Sequence, residues 1–185
     1  MKLEYSITGN LWWISNFLDR KTYKTIHNEI FKKRKKMNLP SVIDSWGKDL
    51  WEGVTKPPKS QEIKNYHPIE ILKTLVKRNP FFVMPDVENL TMTSGVHCLE
   101  KDSAINWHDD GRGKYGATYY LNKRWNKNWG GEFMFTHENG HGWIPPVGNS
   151  LILVKAPVQH KVNTVLSPYV PRISIQMFMK SKEKK

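Results

Sequence analysis

The chain has 185 residues, of which 38% are apolar and 12% aromatic, including eight Trp, and it carries a formal net charge of +12. That length suits one domain able to bury a core of its own, and the apolar content excludes a disordered or low-complexity chain. The lone cysteine, Cys98, excludes an internal disulfide, and Met1 leads into Lys2 and Glu4 rather than an apolar leader. The longest apolar runs, such as Leu151 to Val154, are strand-sized and far from the roughly 20 residues of a membrane span. A soluble, cytoplasmic protein with no membrane partner is therefore expected. The positive charge keeps nucleic acid and acidic substrates in view without choosing between them.

Residues 1–85 read as a helical support region within a single 1–185 domain. A first helix is predicted over Asp19 to Lys36, where Tyr23, Ile26, Ile30 and Phe31 form one apolar stripe. Its basic end, Lys32 to Lys36, complements the helix dipole and reads as a solvated face. Pro57, Pro58 and Ser60 mark a loop. A second helix starts near Pro68, runs through Ile69, Leu72, Leu75 and Val76, and stops at Pro80.

After Pro85 short runs of β-formers alternate with Gly, Pro, Asn and Asp. Strands are predicted near Leu90–Leu99, Ile105–Asp109, Ala117–Leu121, Glu132–Phe135, Gly142–Ile144, Ser150–Val154, His160–Val165 and Ile173–Met179. The predicted class is mainly β with N-terminal helices (α+β), a double-stranded β-helix or jelly-roll barrel over 86–180, with the helices covering one face. The Lys-rich tail after Lys180 reads as frayed.

Chemistry concentrates in three places. In Trp107-His108-Asp109-Asp110, at the end of a strand, residues two apart point the same way, so His108 and Asp110 share a face while Asp109 points away. One imidazole and one carboxylate, completed by a second His, make the facial triad of non-haem Fe(II) oxygenases. His160, which follows an apolar strand and a Pro turn, is the third candidate. The other histidines of this half, His97, His137 and His141, read as strand-edge or loop residues. In Pro171-Arg172-Ile173-Ser174 the Arg and Ser share a strand face. A guanidinium fork with a hydroxyl beside it suits the far carboxylate of a dicarboxylic cosubstrate.

His108-x-Asp110, the block from Tyr119-Tyr120-Leu121-Asn122 through Trp125 to Gly130-Gly131-Glu132, and His160 followed by Arg172-x-Ser174 occur in one order. Together they resemble the prolyl-4-hydroxylase-like branch of the 2-oxoglutarate/Fe(II)-dependent oxygenases, over residues 89 to 179. The resemblance implies that His108, Asp110 and His160 ligate Fe(II). It also implies that Arg172, with Ser174 and Tyr120, binds the C5 carboxylate of 2-oxoglutarate, and that ascorbate serves as an accessory. Where relatives often have a further Tyr, this chain has His97-Cys98-Leu99. The implied reaction consumes 2-oxoglutarate and dioxygen, releases succinate and CO2, and hydroxylates a C–H bond. Asp110 favours hydroxylation over halogenation, since a halide would need its place on iron. The first-choice substrate is a prolyl residue of a peptide or protein, under a lid formed by Gly111–Lys114 and the segment before Pro85. The alternatives are oxidative demethylation of alkylated nucleic acid, hydroxylation of a free amino acid, and a non-catalytic jelly-roll binding module.

Overall fold

A computed structural model describes residues 2–7, 9–36, 39–63, 67–79, 87–111 and 114–182. In chain order the elements are β1 (Lys2–Ile7), β2 (Leu11–Ser15), α1 (Arg20–Lys36), a 3₁₀ turn (Lys48–Leu50), β3 (Lys59–Glu62) and α2 (His67–Lys77). After a second 3₁₀ turn (Val87–Asn89) come β4 (Leu90–Leu99), β5 (Ile105–His108), β6 (Tyr115–Tyr120), β7 (Phe133–His137), β8 (Gly140–Ile144), β9 (Leu151–Lys155), β10 (His160–Val162) and β11 (Arg172–Ser181).

Local chemistry sets the helix start. Asp19 caps α1, its Oδ1 accepting from the backbone N–H groups of Lys21 and Thr22 at 2.8 and 3.0 Å. Both predicted helices are present, although Pro80 and the segment up to Pro85 lie outside the described residues. The side chains of Lys32 to Lys36 do so as well.

The strands form two antiparallel sheets. The larger has the order β1-β2-β9-β6-β11-β4-β3 and the smaller β5-β10-β7-β8. Every strand predicted after Pro85 is found, and the two facing sheets are those of a double-stranded β-helix. The helical reading of the first residues needs correction at three points. β1 and β2 form a hairpin that extends the larger sheet, and β3 adds its opposite edge. The run Leu11–Ile14 is apolar throughout because β2 is covered on both faces, so it shows none of the alternation by which a strand is read.

One face of the larger sheet is closed by the helices. Ile26 and Ile30 of α1 and Ile69, Leu72 and Val76 of α2 pack with Val96, Ala117, Tyr119, Leu153, Ile173 and Ile175. Buried Asn149 fastens this layer. Its Oδ1 accepts from the Leu18 N–H and from the Tyr119 hydroxyl, and its Nδ2 donates to the Leu18 carbonyl. The opposite, inward face packs on the smaller sheet through Leu11, Ile152, Val154, Phe133, Phe135 and Ile144. This apolar filling occupies only part of the space between the sheets, and the remainder is a polar-floored cavity.

Candidate metal and anion site

The cavity has a volume of about 470 Å³ and takes walls from both sheets. His108 ends β5 and His160 opens β10, directly opposite each other in the antiparallel register. Their rings lie 4.3 Å apart between centroids, and His160 Nε2 is 3.7 Å from Asp110 Oδ1. One potential ligand atom from each of His108, Asp110 and His160 lies within 4.8 Å of the others. The structure thus brings together the three residues that the sequence singled out.

Each imidazole is oriented by its own strand. His108 Nδ1 is 2.8 Å from the Asn106 carbonyl and His160 Nδ1 is 2.9 Å from the Val158 carbonyl. A carbonyl only accepts, so each Nδ1 carries the proton and each Nε2 lone pair is left for the cluster. Phe133 stacks on His160 at 5.0 Å. Burial holds the His160 imidazole below its ordinary pKa, with His108 acting in the same direction and Asp110 opposing both. Two imidazoles and a carboxylate converging from one side of a cavity fit a divalent transition metal that keeps positions open to ligands.

Two further residues of this end escaped the sequence reading. The Asp110 carboxylate lies so close over Gly116 that a Cβ there would overlap it. A glycine inside a fully buried strand is the signal that could have found it. Asn106 donates its side-chain N–H groups to the carbonyls of Asp49 and Glu52, both at 2.9 Å, tying the 3₁₀ turn to the strand that bears His108. Through this tie Trp46, Asp49 and Leu50 become part of the cavity wall. Asp109 stands beside the cluster without joining it. Its carboxylate accepts from the Gly111 N–H and from Gln159 Nε2.

The other end is built on β11. Arg172 is 2% exposed, its Nε donates to the Gly131 carbonyl at 2.9 Å, and its Nη2 donates to Tyr120 Oη at 3.1 Å. Nη1 is 3.5 Å from Ser174 Oγ. Among the described residues no carboxylate pairs with this buried guanidinium, although burying a cation without a counter-charge is costly. The Gly130-Gly131 pair has its reason here. Both glycines have positive φ, 64° and 72°, and a Cβ at Gly130 would strike the Thr164 carbonyl. The backbone turns there and presents the Gly131 carbonyl to Arg172. Burial raises the Tyr120 pKa against the opposing effect of Arg172, so its phenol stays protonated.

His97 corrects an expectation. It is neither at a strand edge nor in a loop but inside β4, paired with Ser174 of β11 on one side and Ser60 of β3 on the other, 6% exposed and lining the cavity. Burial, helped by the Arg172 charge, pushes its pKa down to about 3, so the ring is neutral. His137 ends β7 and exposed His141 lies in β8, both outside the triad. Of the anticipated lid, residues 112–113 and 80–86 lie outside the described residues. No helix among the described residues is long and apolar enough to cross a membrane.

Comparison with known proteins agrees with this geometry. Residues 94–180 match the model of the 2OG-Fe(II) oxygenase superfamily. A sequence search of curated proteins returns no match. Among solved structures the chain is similar to a Pseudomonas putida prolyl-4-hydroxylase, with TM-score 0.72 and 16% identity over 95% of this chain and 94% of that one. It is also similar to a Trichoplax adhaerens prolyl hydroxylase solved in complex with a hypoxia inducible factor peptide fragment, with TM-score 0.76 and 20% identity over 94% and 84%. A third similar structure, with TM-score 0.67 and 12% identity over 93% and 78%, is the non-heme alpha ketoglutarate dependent epimerase SnoN from nogalamycin biosynthesis. At these identities the likeness speaks for the fold, and the fold hosts more than one reaction.

Proposed function

Since this chain belongs to the 2OG-Fe(II) oxygenase superfamily, whose members use Fe(II) and 2-oxoglutarate, we propose that it hydroxylates a prolyl residue of a peptide or protein, with His108, Asp110 and His160 as the iron ligands. Arg172 and Ser174 bind the far carboxylate of 2-oxoglutarate, and Tyr120 holds the guanidinium in place while offering its O–H beside it. One observation carries the reading of the whole site. A buried guanidinium with no carboxylate partner among the described residues faces the same cavity as a two-His, one-carboxylate cluster. An anion that also reaches the metal satisfies both ends at once.

Bound there, the metal and cosubstrate supply oxidative decarboxylation, converting 2-oxoglutarate and dioxygen to succinate and CO2 while a C–H bond is hydroxylated. The residues of the chain supply position. His108 and His160 keep their Nε2 atoms aimed by backbone carbonyls, Gly116 leaves room for Asp110, and Arg172 fixes the cosubstrate along one axis of the cavity. Phe133, Val162 and Ile105 line that cavity and limit the entry of water. A peptide substrate is supported by the Trichoplax adhaerens relative, which was solved with a peptide, and by the apolar Trp46, Leu50 and Phe178 among the residues lining the cavity.

The test is succinate release from 2-oxoglutarate with Fe(II) and ascorbate, for the wild type and for His108→Ala, with and without proline-containing peptides. Iron-dependent turnover that falls at least 100-fold in the variant, together with hydroxyproline in a stimulating peptide, is the expected result. Turnover that is stimulated only by another substrate class would overturn the prolyl assignment and leave the oxygenase site standing.

A further inference from the structure

The inward face of the larger sheet carries a row of polar side chains in exact register. Tyr120 of β6 is the antiparallel partner of Ser174 of β11, and Ser174 is the partner of His97 of β4. Directly opposed residues of neighbouring strands point to the same face with Cα atoms about 5 Å apart. The three groups therefore stand side by side on the cavity floor next to Arg172. Tyr120 and Ser174 both contact the guanidinium. His97 does not.

The His97 ring is fixed by packing instead. The Trp46 ring lies 4.9 Å away and the Phe178 ring 6.5 Å away, and both side chains also line the cavity. No described residue bonds either ring nitrogen, and neither is among the fully enclosed unpartnered atoms, so the nitrogens of this cavity-lining residue are open to a bound molecule. An imidazole nitrogen that faces a cavity and bonds no side chain is available to a molecule bound there. A neutral imidazole can donate one N–H, and the arginine beside it selects an acceptor of negative charge.

We propose that His97 completes the anion site as a third donor: its imidazole N–H bonds the carboxylate held by Arg172 and makes the site selective for a 2-oxo acid with a second carboxylate. The inference rests on 2-oxoglutarate occupying the site as read above. It adds a residue of this chain that the triad and the Arg172-Ser174 pair do not include. Because the ring is neutral, it contributes a directed hydrogen bond without adding a second positive charge for one carboxylate to balance. Trp46 and Phe178 keep it from rotating away, so its order is paid before the ligand arrives.

The experiment uses the full chain loaded with Zn(II), which is redox-silent, and measures binding of 2-oxoglutarate and of 2-oxobutyrate, which lacks the distal carboxylate, by titration calorimetry. His97→Phe is expected to weaken 2-oxoglutarate tenfold or more while changing 2-oxobutyrate less than threefold, and His97→Gln, which retains an N–H donor, to recover most of the loss. In the wild type, 2-oxoglutarate is expected to shift the His97 ring-nitrogen resonances, a readout that needs no variant to fold. Equal losses for both acids, no loss for either, or unmoved resonances would overturn the role of His97 and leave the Arg172 reading intact. Failure of wild-type, metal-loaded protein to bind 2-oxoglutarate at all would overturn both.

Discussion

At one end of the cavity two histidines hang from strands of three and four residues and are aimed by their own backbone carbonyls, whereas at the other Arg172 rises from the ten-residue β11 and is held by the Gly131 carbonyl and the Tyr120 hydroxyl. The first arrangement is local. Each ring is aimed by the carbonyl two residues before it, and the pair meets through the β5–β10 register, with Gly116 leaving room for Asp110. The second draws on three separate stretches of chain, β11, the Gly130-Gly131 turn and β6, and sits in a sheet covered on its other face by two helices. Ring orientation at the metal end is therefore set by neighbours in sequence, and that of the guanidinium at the anion end by tertiary packing. The two ends should fail independently when each is perturbed by its own kind of change.

The sharpest break is expected from Gly116→Ala. The added methyl would overlap the Asp110 carboxylate, which must move because the alternative is to displace the central strand β6. Zn(II) affinity measured by competition with a chelating dye should fall about 100-fold, the upper range for a change just outside the ligand set. Folding monitored by circular dichroism should persist, and carboxylate binding at Arg172 should change little. If metal affinity is unaltered, Asp110 has room that the geometry denies it.

Arg172→Lys perturbs the opposite end. Lysine keeps the charge but cannot donate at once to Gly131, to Tyr120 and to a bound carboxylate in the planar geometry of the fork. The Kd for 2-oxoglutarate should rise about 10–30-fold, with Zn(II) affinity unchanged. A matching loss of metal affinity would show that the two ends are coupled, against the independence drawn above.

His97 gives a third, pH-dependent probe. Its folded pKa of about 3 lies below the roughly 6.5 of an unfolded histidine, so as the pH falls the unfolded chain takes the proton first. The stability that depends on a neutral His97 is complete above about pH 6.5, drains away between about 6.5 and 3, and is gone below that. Between pH 6.5 and 5 the slope is about 1.4 kcal/mol per pH unit, or about 2 kcal/mol in all. Urea denaturation of His97→Phe, which has nothing to protonate there, should lack this component relative to wild type. The depressed His160 pKa acts in the same direction in both proteins and cancels in the comparison.

The contrast between local and tertiary construction also explains what the sequence revealed. His108, Asp110 and His160 were legible as candidates from strand spacing and the Pro turn before His160, and the resemblance to the oxygenases implied their role, although β5 ends at His108 and Asp110 follows it. α1 was legible from its stripe, and its Asp19 cap matches the predicted start. The hairpin of β1 and β2 was not, since a strand buried on both faces carries no alternation. β3, with the sequence Lys-Ser-Gln-Glu, is a strand only because β4 offers it an edge. Trp46 and His97 meet across a gap of fifty residues that no local pattern encodes. The anion end was found through Arg172-x-Ser174, yet its glycine support at 130–131 took on meaning only with the Gly131 carbonyl in contact with the guanidinium.

Tyr120→Phe should have the smallest effect and is the most discriminating for how Arg172 is held. Removing the phenolic oxygen takes away the acceptor 3.1 Å from Nη2 but leaves the ring, which lies 4.9 Å under the guanidinium carbon, and the Gly131 contact to Nε. One hydrogen bond to a charged donor is lost in a site that keeps its shape, so 2-oxoglutarate affinity should fall about 3–10-fold, less than in Arg172→Lys. The freed Nη2 then needs a new partner, and the bound carboxylate is the nearest anion. If affinity is unchanged, the ring and the Gly131 carbonyl suffice to fix the fork. If it falls as far as in Arg172→Lys, the hydroxyl contacts the ligand as well as the arginine, because orientation of Arg172 alone cannot account for so large a loss.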